Sequence, residues 1–230
     1  MPGEASTGLV AAAVVLVVAA LAAWAFTAHR KRQKALRELL ERVGFRPCPA
    51  EKGTLEGIVN GIVNDRDHHY LVEQPQRLAG NPAIYYYVKV RDARHADEER
   101  YAGEELLFRL RRRTPAGALL FVKPSSLAPG VATRLLGAVA SGPWSTQPDD
   151  LMRLELPADL KDTNLLAALG PEGASLYDVV DAKLLSVIQG LGDAGGMIVR
   201  LRDDWCVVEA ASHQVPFRVD EIVARMRPLL

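Results

Sequence analysis

Between Gly8 and Ala28 the chain carries one strongly polar side chain, Thr27, and no charge. An α-helix rises about 1.5 Å per residue, so the run reaches roughly 31 Å, close to the ~30 Å hydrocarbon core of a bilayer. A soluble amphipathic helix would interrupt such a run with polar residues every three or four positions. Trp24 and Phe26 stand near its C-terminal end, where amphipathic rings prefer the interface. Arg30, Lys31, Arg32, Lys34 and Arg37 follow at once, and no Lys or Arg precedes the run. The positive-inside rule then predicts a single-pass protein of the cell membrane. Residues 1–7 form a short extracytoplasmic N-terminus, 8–28 a transmembrane helix, 29–44 a basic juxtamembrane helix and 45–230 a cytoplasmic domain. The same cations attract anionic lipid headgroups. A cleavable signal peptide competes with this reading, since Ala23-Trp24-Ala25 and Phe26-Thr27-Ala28 resemble cleavage sites. It would require a cationic start and a shorter apolar core, whereas Glu4 is the only charge before the run. A buried core helix fits worse, because the run ends abruptly in charge.

Beyond the span the period changes. Leu36, Leu39, Leu40 and Val43 fall at i, i+3, i+4 and i+7, so the helix is expected to continue to about Val43 and to end at Gly44. Its stripe is expected to pack on the domain or to pair with a second helix. The stretch TLEGIVNGIVN, 54–64, reads as a strand with bends at its two glycines. Residues 68–73 continue extended. Ile84, Tyr86, Val88 and Val90 then alternate with Tyr85, Tyr87, Lys89 and Arg91 as a two-faced strand. A further strand at 106–110 leads through the turn Thr114-Pro115-Ala116-Gly117 into 118–123 as a hairpin.

Helical spacing returns at 131–139, with loops marked by Gly142-Pro143 and Gln147-Pro148, and 151–156 reads as a strand. Ser175 with Asp178 resembles a capping box that opens one helix with the stripe Leu176, Val179, Val180, Leu184, Val187, Ile188 and Leu191, ended by Gly190 and Gly192. A last hairpin joins 197–201 to 205–210 through Arg202-Asp203-Asp204. A closing helix at 220–227 turns Ile222, Val223 and Met226 inward. The fold class is α+β: an N-terminal transmembrane helix, then a mainly antiparallel sheet domain covered by a few helices.

Charge adds exclusions. The chain has 28 Lys and Arg against 28 Asp and Glu. Because the juxtamembrane flank takes five of the cations, the remainder is slightly acidic, which argues against a nucleic-acid partner. Cys48 and Cys206 belong to no C-x-x-C pair, so neither a zinc finger nor a redox motif is expected, and both are read as free thiols.

Candidate chemistry is sparse. Asp65-Arg66-Asp67-His68-His69 is the one local cluster with metal-ligand residue types. Adjacent histidines on a strand point to opposite faces, which leaves two ligands where zinc needs three or four. Gly192-Asp193-Ala194-Gly195-Gly196 follows a helix and precedes a strand, the reverse of a phosphate loop, and reads as a linker. Asp149-Asp150 and Asp203-Asp204 sit in turns. The mixed-charge stretch 91–113 reads as a solvated face, and Trp205 as a core or hairpin-end residue. The chain contains neither a G-x-S-x-G elbow nor a low-pKa cysteine beside histidine, so no catalytic, cofactor-binding or metal-binding residue is assigned. Tyr85-Tyr86-Tyr87 stands out: Tyr86 should be core, and Tyr85 and Tyr87 lie side by side on the other face, as a partner surface or under a covering element.

In layout, the span with its basic flank, "LLERVGFRP", the strand "IYYYVKV", "DWCVVEA" and the closing "VDEIVARMRP" resemble a group of uncharacterised bacterial single-pass membrane proteins. The resemblance implies a membrane-anchored cytoplasmic domain and carries no site residue. Together these readings predict a binding, accessory or scaffold protein, not an enzyme, whose domain meets a protein partner or a second copy at the membrane surface. A membrane-tethered hydrolase or transferase with dispersed catalytic residues, or a lipid-headgroup sensor, are the alternatives.

Overall fold

The computed structural model describes residues 3–94, 99–126, 150–160, 163–211 and 217–230, with side chains from Leu16 onward except those of residues 22, 25, 29 and 102. The expected helix 131–139 and the loops at 142–143 and 147–148 lie outside the described residues. The chain divides into two units that meet between Val43 and Gly44. The first is a single helix, α1, Gly3–Val43, of 41 residues. Gly44 follows at φ +105°, a conformation open to glycine.

The second unit is an α+β domain around an antiparallel sheet. It opens with β1, Phe45–Pro47, and a 3-10 turn at Pro49–Glu51. The next element corrects the strand expected at 54–64: it is α2, Lys52–Val63, closed by Asn64 at φ +50°. Helical spacing overrides β-propensity here. Leu55, Val59, Ile62 and Val63 are buried on one side, while Gly53, Gly57 and Gly61, four residues apart, face outward with nothing within 4 Å.

Strands β2, His68–Leu78, and β3, Ala83–Asp92, pair antiparallel from His68↔Asp92 to Arg77↔Ile84. Pro75 lies in β2 without a donor to give, and the ladder skips it in a bulge, with Gln74 at φ +50°. Next come β4, Glu99–Val122, the short β5, Met152–Arg153, and β6, Leu165–Gly170. The expected strand at 151–156 shrinks to β5, and β6 is an addition to the elements expected. The last strand is β7, Met197–Ala210. The sheet order is β1-β2-β3-β4-β6-β5, with β7 on β4.

Both long strands reverse. Fully extended, the 14 residues of β7 would cover about 45 Å. Yet the N–H of Ala211 donates to the carbonyl of Gly196 at 2.9 Å. So β7 doubles back at Asp203, φ +52°, as the expected hairpin. The first half of β4 pairs with β3 and with the second half of β7, from Glu105↔Glu209 to Arg109↔Trp205. Its second half pairs with β6 and with the first half of β7, from Ala118↔Leu201 to Val122↔Met197. The turn of β4 therefore passes around the tip of the β7 hairpin, with Thr114 opposite Asp203 and Gly117 at φ +75°.

Three further α-helices follow among the described residues. α3, Leu176–Val179, starts with the expected capping box, both of its bonds formed. The single helix expected there is two: Val180 is extended, and Asp181 caps α4, Ala182–Gly190, by accepting from the N–H of Leu184. A second good N-cap inside the apolar stripe restarts the helix on a new axis. α5, Val219–Met226, buries Ile222, Val223 and Met226 as its spacing predicts. One sheet face packs Tyr70, Val72, Ile84, Tyr86, Val88, Leu107 and Val207 against α2. The other face is covered as well: Tyr85, Leu106, Phe108, Cys206 and Val208 are all fully buried.

Candidate anchor and partner surface

The described part of α1 presents apolar side chains all round. Leu16, Val17 and Val18 are consecutive, hence about 100° apart in direction, and all are exposed, as are Leu21, Trp24 and Phe26. Thr27, the single polar interruption, turns its hydroxyl back to donate to the carbonyl of Trp24 at 2.8 Å, which hides its polarity on its own helix. The guanidinium of Arg30 lies 4.5 Å from the centroid of the Phe26 ring, a cation over an aromatic face at the start of the charged flank. Arg30, Lys31, Arg32, Lys34 and Arg37 are all exposed on α1, and Lys34 stands 3.8 Å from Glu38 one turn on. Among the described residues no helix is long and apolar enough to cross a membrane. The described side chains begin at Leu16, partway along the run that starts at Gly8.

On β3 the tyrosines form a graded row. Tyr85 is fully buried, edge-on to Phe45 at 6.4 Å and to Tyr87 at 5.5 Å. Tyr87 is half-buried and continues to Tyr101, at 6.1 Å, which is 54% exposed. Tyr85 and Tyr87 do share a face, but Tyr85 offers no surface to a partner because that face of the sheet is covered at its position. The exposed end of the row is Tyr101 on β4, which pairs with Lys89 across the ladder. Nothing in the alternation of β3 points to Tyr101. Only the register of β3 on β4 brings it there. Glu99 beside it accepts from Arg91 and, at 3.5 Å, from Lys89.

A shallow open cleft of about 620 Å³ lies at the β1–β2 end of the sheet, lined in part by Arg46, Cys48, Arg77 and Asn81. Its chemistry is quiet. Burial, then the Glu51 carboxylate, pushes the Cys48 thiol up, so it stays protonated at neutral pH. Arg77 is held by Glu51 through two hydrogen bonds, one of 2.9 Å, and that bonding pulls the Glu51 carboxyl down.

The remaining sequence candidates have structural partners. Asp65 accepts from the Asp67 N–H and lies 2.9 Å from His68 Nδ1, while His69 is exposed. Among the described residues no three His, Cys, Asp or Glu side chains gather as metal ligands. Asp150 pairs with Arg202 at 2.6 Å and Asp204 with Arg109 at 2.7 Å; Asp149 lies outside the described residues. Trp205 is half-buried against the cluster under α2, with Arg109 over its ring at 5.7 Å. Gly192 is a packing residue. A Cβ there would meet the Lys123 carbonyl at 2.7 Å and Asn164 at 2.8 Å, and its neighbour Asp193 accepts from Ser125 at 2.6 Å. Burial pushes the Cys206 thiol far up, which leaves it inert.

Polar side chains on inward-facing strand positions escaped the sequence reading altogether. Glu105, Arg200 and Glu209 are buried. The signal was a charge in the core phase of an apolar strand, as in MIVRL and CVVEA. Comparison with known proteins finds no match: no family model, no curated protein and no solved structure aligns significantly with this chain.

Proposed function

We propose that the protein is a single-pass membrane protein: residues 8–28 cross the lipid bilayer, the N-terminus lies outside, and the domain sits at the cytoplasmic surface as a binding or scaffold module. One observation carries this reading: a helix with exposed apolar side chains on successive positions passes directly into a basic flank. Apolar surface on all sides of a helix has no aqueous use, and lipid satisfies it. The flank Arg30, Lys31, Arg32, Lys34 and Arg37 then meets anionic headgroups at about 1 kcal/mol per cation.

Binding is favoured over catalysis by the chemistry of the domain. Its thiols are held protonated, Asp150 and Asp204 in its turns are paired with arginines, and the cleft beside β1 holds an arginine already engaged by a glutamate. Tyr87 and Tyr101 are the aromatic contact proposed for a protein partner or a second copy. Anchoring confines that surface to two dimensions and raises its effective concentration near other membrane proteins. The test is affinity capture after mild detergent solubilisation, with the full chain beside a chain lacking residues 1–34 and a Tyr101→Ala variant. A specific partner recovered by the full chain and lost with Tyr101→Ala supports the reading. Capture that is indifferent to both changes, or that yields background only, contradicts it.

A further inference from the structure

Tyr86, Glu105 and Glu209 are register partners on β3, the first half of β4 and the second half of β7. They stand in one row across the sheet, and the β7 hairpin adds Arg200 beside Glu209. All four residues are at least 96% buried. The Tyr86 hydroxyl donates to Glu105 Oε2 at 2.6 Å, and Arg200 Nη1 donates to Glu209 Oε1. Two carboxyls therefore share one guanidinium in the interior. Like charges directly opposite on neighbouring strands repel, and a buried carboxylate without its own cation is strongly disfavoured.

The other groups around the row supply no second cation. β2 contributes Tyr70, whose backbone is bound on both sides by Asn60 of α2. α2 contributes Glu56, a further carboxylate, which accepts from the Val72 N–H at 3.1 Å and stands 3.9 Å from Lys52. Lys52 itself donates to Glu73 at 3.0 Å. Arg202, next but one along β7, donates to Asp150 at 2.6 Å. Among the described residues, Arg200 is the one cation inside the row.

We propose that the folded domain holds one proton on this carboxyl pair, at Glu105, and releases it as pH rises through neutrality, so that folding and proton binding are linked. The neutral Glu105 accepts from Tyr86 while Glu209 keeps Arg200, and the interior charge balances. Electrostatics agree with the geometry. Burial, followed by the neighbouring Glu209 charge, pushes the Glu105 carboxyl up to about 7, from an ordinary value of 4.5. Burial also raises Glu209, against the pull of Arg200.

Between those two values the folded chain carries a proton that the unfolded chain has lost. Stability therefore falls as pH rises across that window and levels off above it. The folded-to-unfolded ratio should drop about tenfold per pH unit inside the window.

The test is urea unfolding of the full-length protein in detergent, from about pH 5 to about pH 8, beside Glu105→Gln. Glutamine keeps the shape of the neutral carboxyl but binds no proton. The wild type should lose on the order of 100-fold in the ratio between pH 5 and pH 7, and the variant should lack this component. Equal slopes overturn the proposal. Infrared spectroscopy of the wild type gives an independent reading should the variant not fold. A buried protonated carboxyl band is expected at pH 6 and absent at pH 8, and a spectrum without it at pH 6 also overturns the proposal.

Discussion

Leu21 of α1 and Leu55 of α2 are the same residue in the same kind of helix, yet one is 60% exposed and the other 2%. α2 is sided: Leu55, Val59, Ile62 and Val63 close on the sheet, and three glycines face out. The described side chains of α1 offer no polar side to turn toward water until its charged flank begins. Apolar content alone does not separate the two helices. Arrangement does, because a one-sided helix is completed by its own domain and an all-round one needs an apolar surrounding.

The contrast can be broken experimentally, most sharply in the domain interior. Arg200→Met removes the one guanidinium from the two buried carboxyls and should cost about 3–5 kcal/mol at pH 7. Part of that loss should return at pH 5, where protons replace the lost cation; urea unfolding at the two pH values reads both effects. Next, Leu55→Ala opens a cavity between α2 and the sheet and should cost about 2–5 kcal/mol. Leu21→Ala should leave domain unfolding within about 0.5 kcal/mol, since Leu21 is an exposed residue of the other unit. If the two leucine variants cost the same, the difference between the helices is not one of function. One small effect has the opposite sign. Gly57→Ala adds a methyl into open space and should stabilise by about 0.5–1 kcal/mol in the same assay.

Much of the architecture was legible where local signals agree with tertiary context. The two-faced pattern of β3, the Ser175–Asp178 box and the reversal at Arg202-Asp203-Asp204 each combine a period with a turn or cap signal, and each forms as read. Residues 54–64 misled because Ile58, Val59, Ile62 and Val63 carry strand propensity. The glycines at 53, 57 and 61, four apart, were the helical period in plain view. β6, Leu165–Gly170, has no alternation to detect, since leucine and alanine face covered layers on both sides of the sheet. The same coverage buries Tyr85, whose face alternation left as either a partner surface or one under a covering element. The candidate site was partly legible: the flank and the tyrosine face could be read, whereas Tyr101 and the Glu105–Glu209 row depend on strand register, a long-range property. Glu105 and Glu209 stand 104 positions apart, and no local period links Tyr101 to Tyr87 on the neighbouring strand.

The central claim is that residues 8–28 lie across the bilayer with the domain on the side of the basic flank. Labelling intact cells with a membrane-impermeant maleimide tests it, using Ser6→Cys and Glu172→Cys, each introduced singly with Cys48→Ser; Cys206 is fully buried and silent. Position 6 should label in intact cells, and the exposed position 172 only after permeabilisation. Labelling of position 172 in intact cells, or release of the protein by alkaline carbonate, would contradict the account.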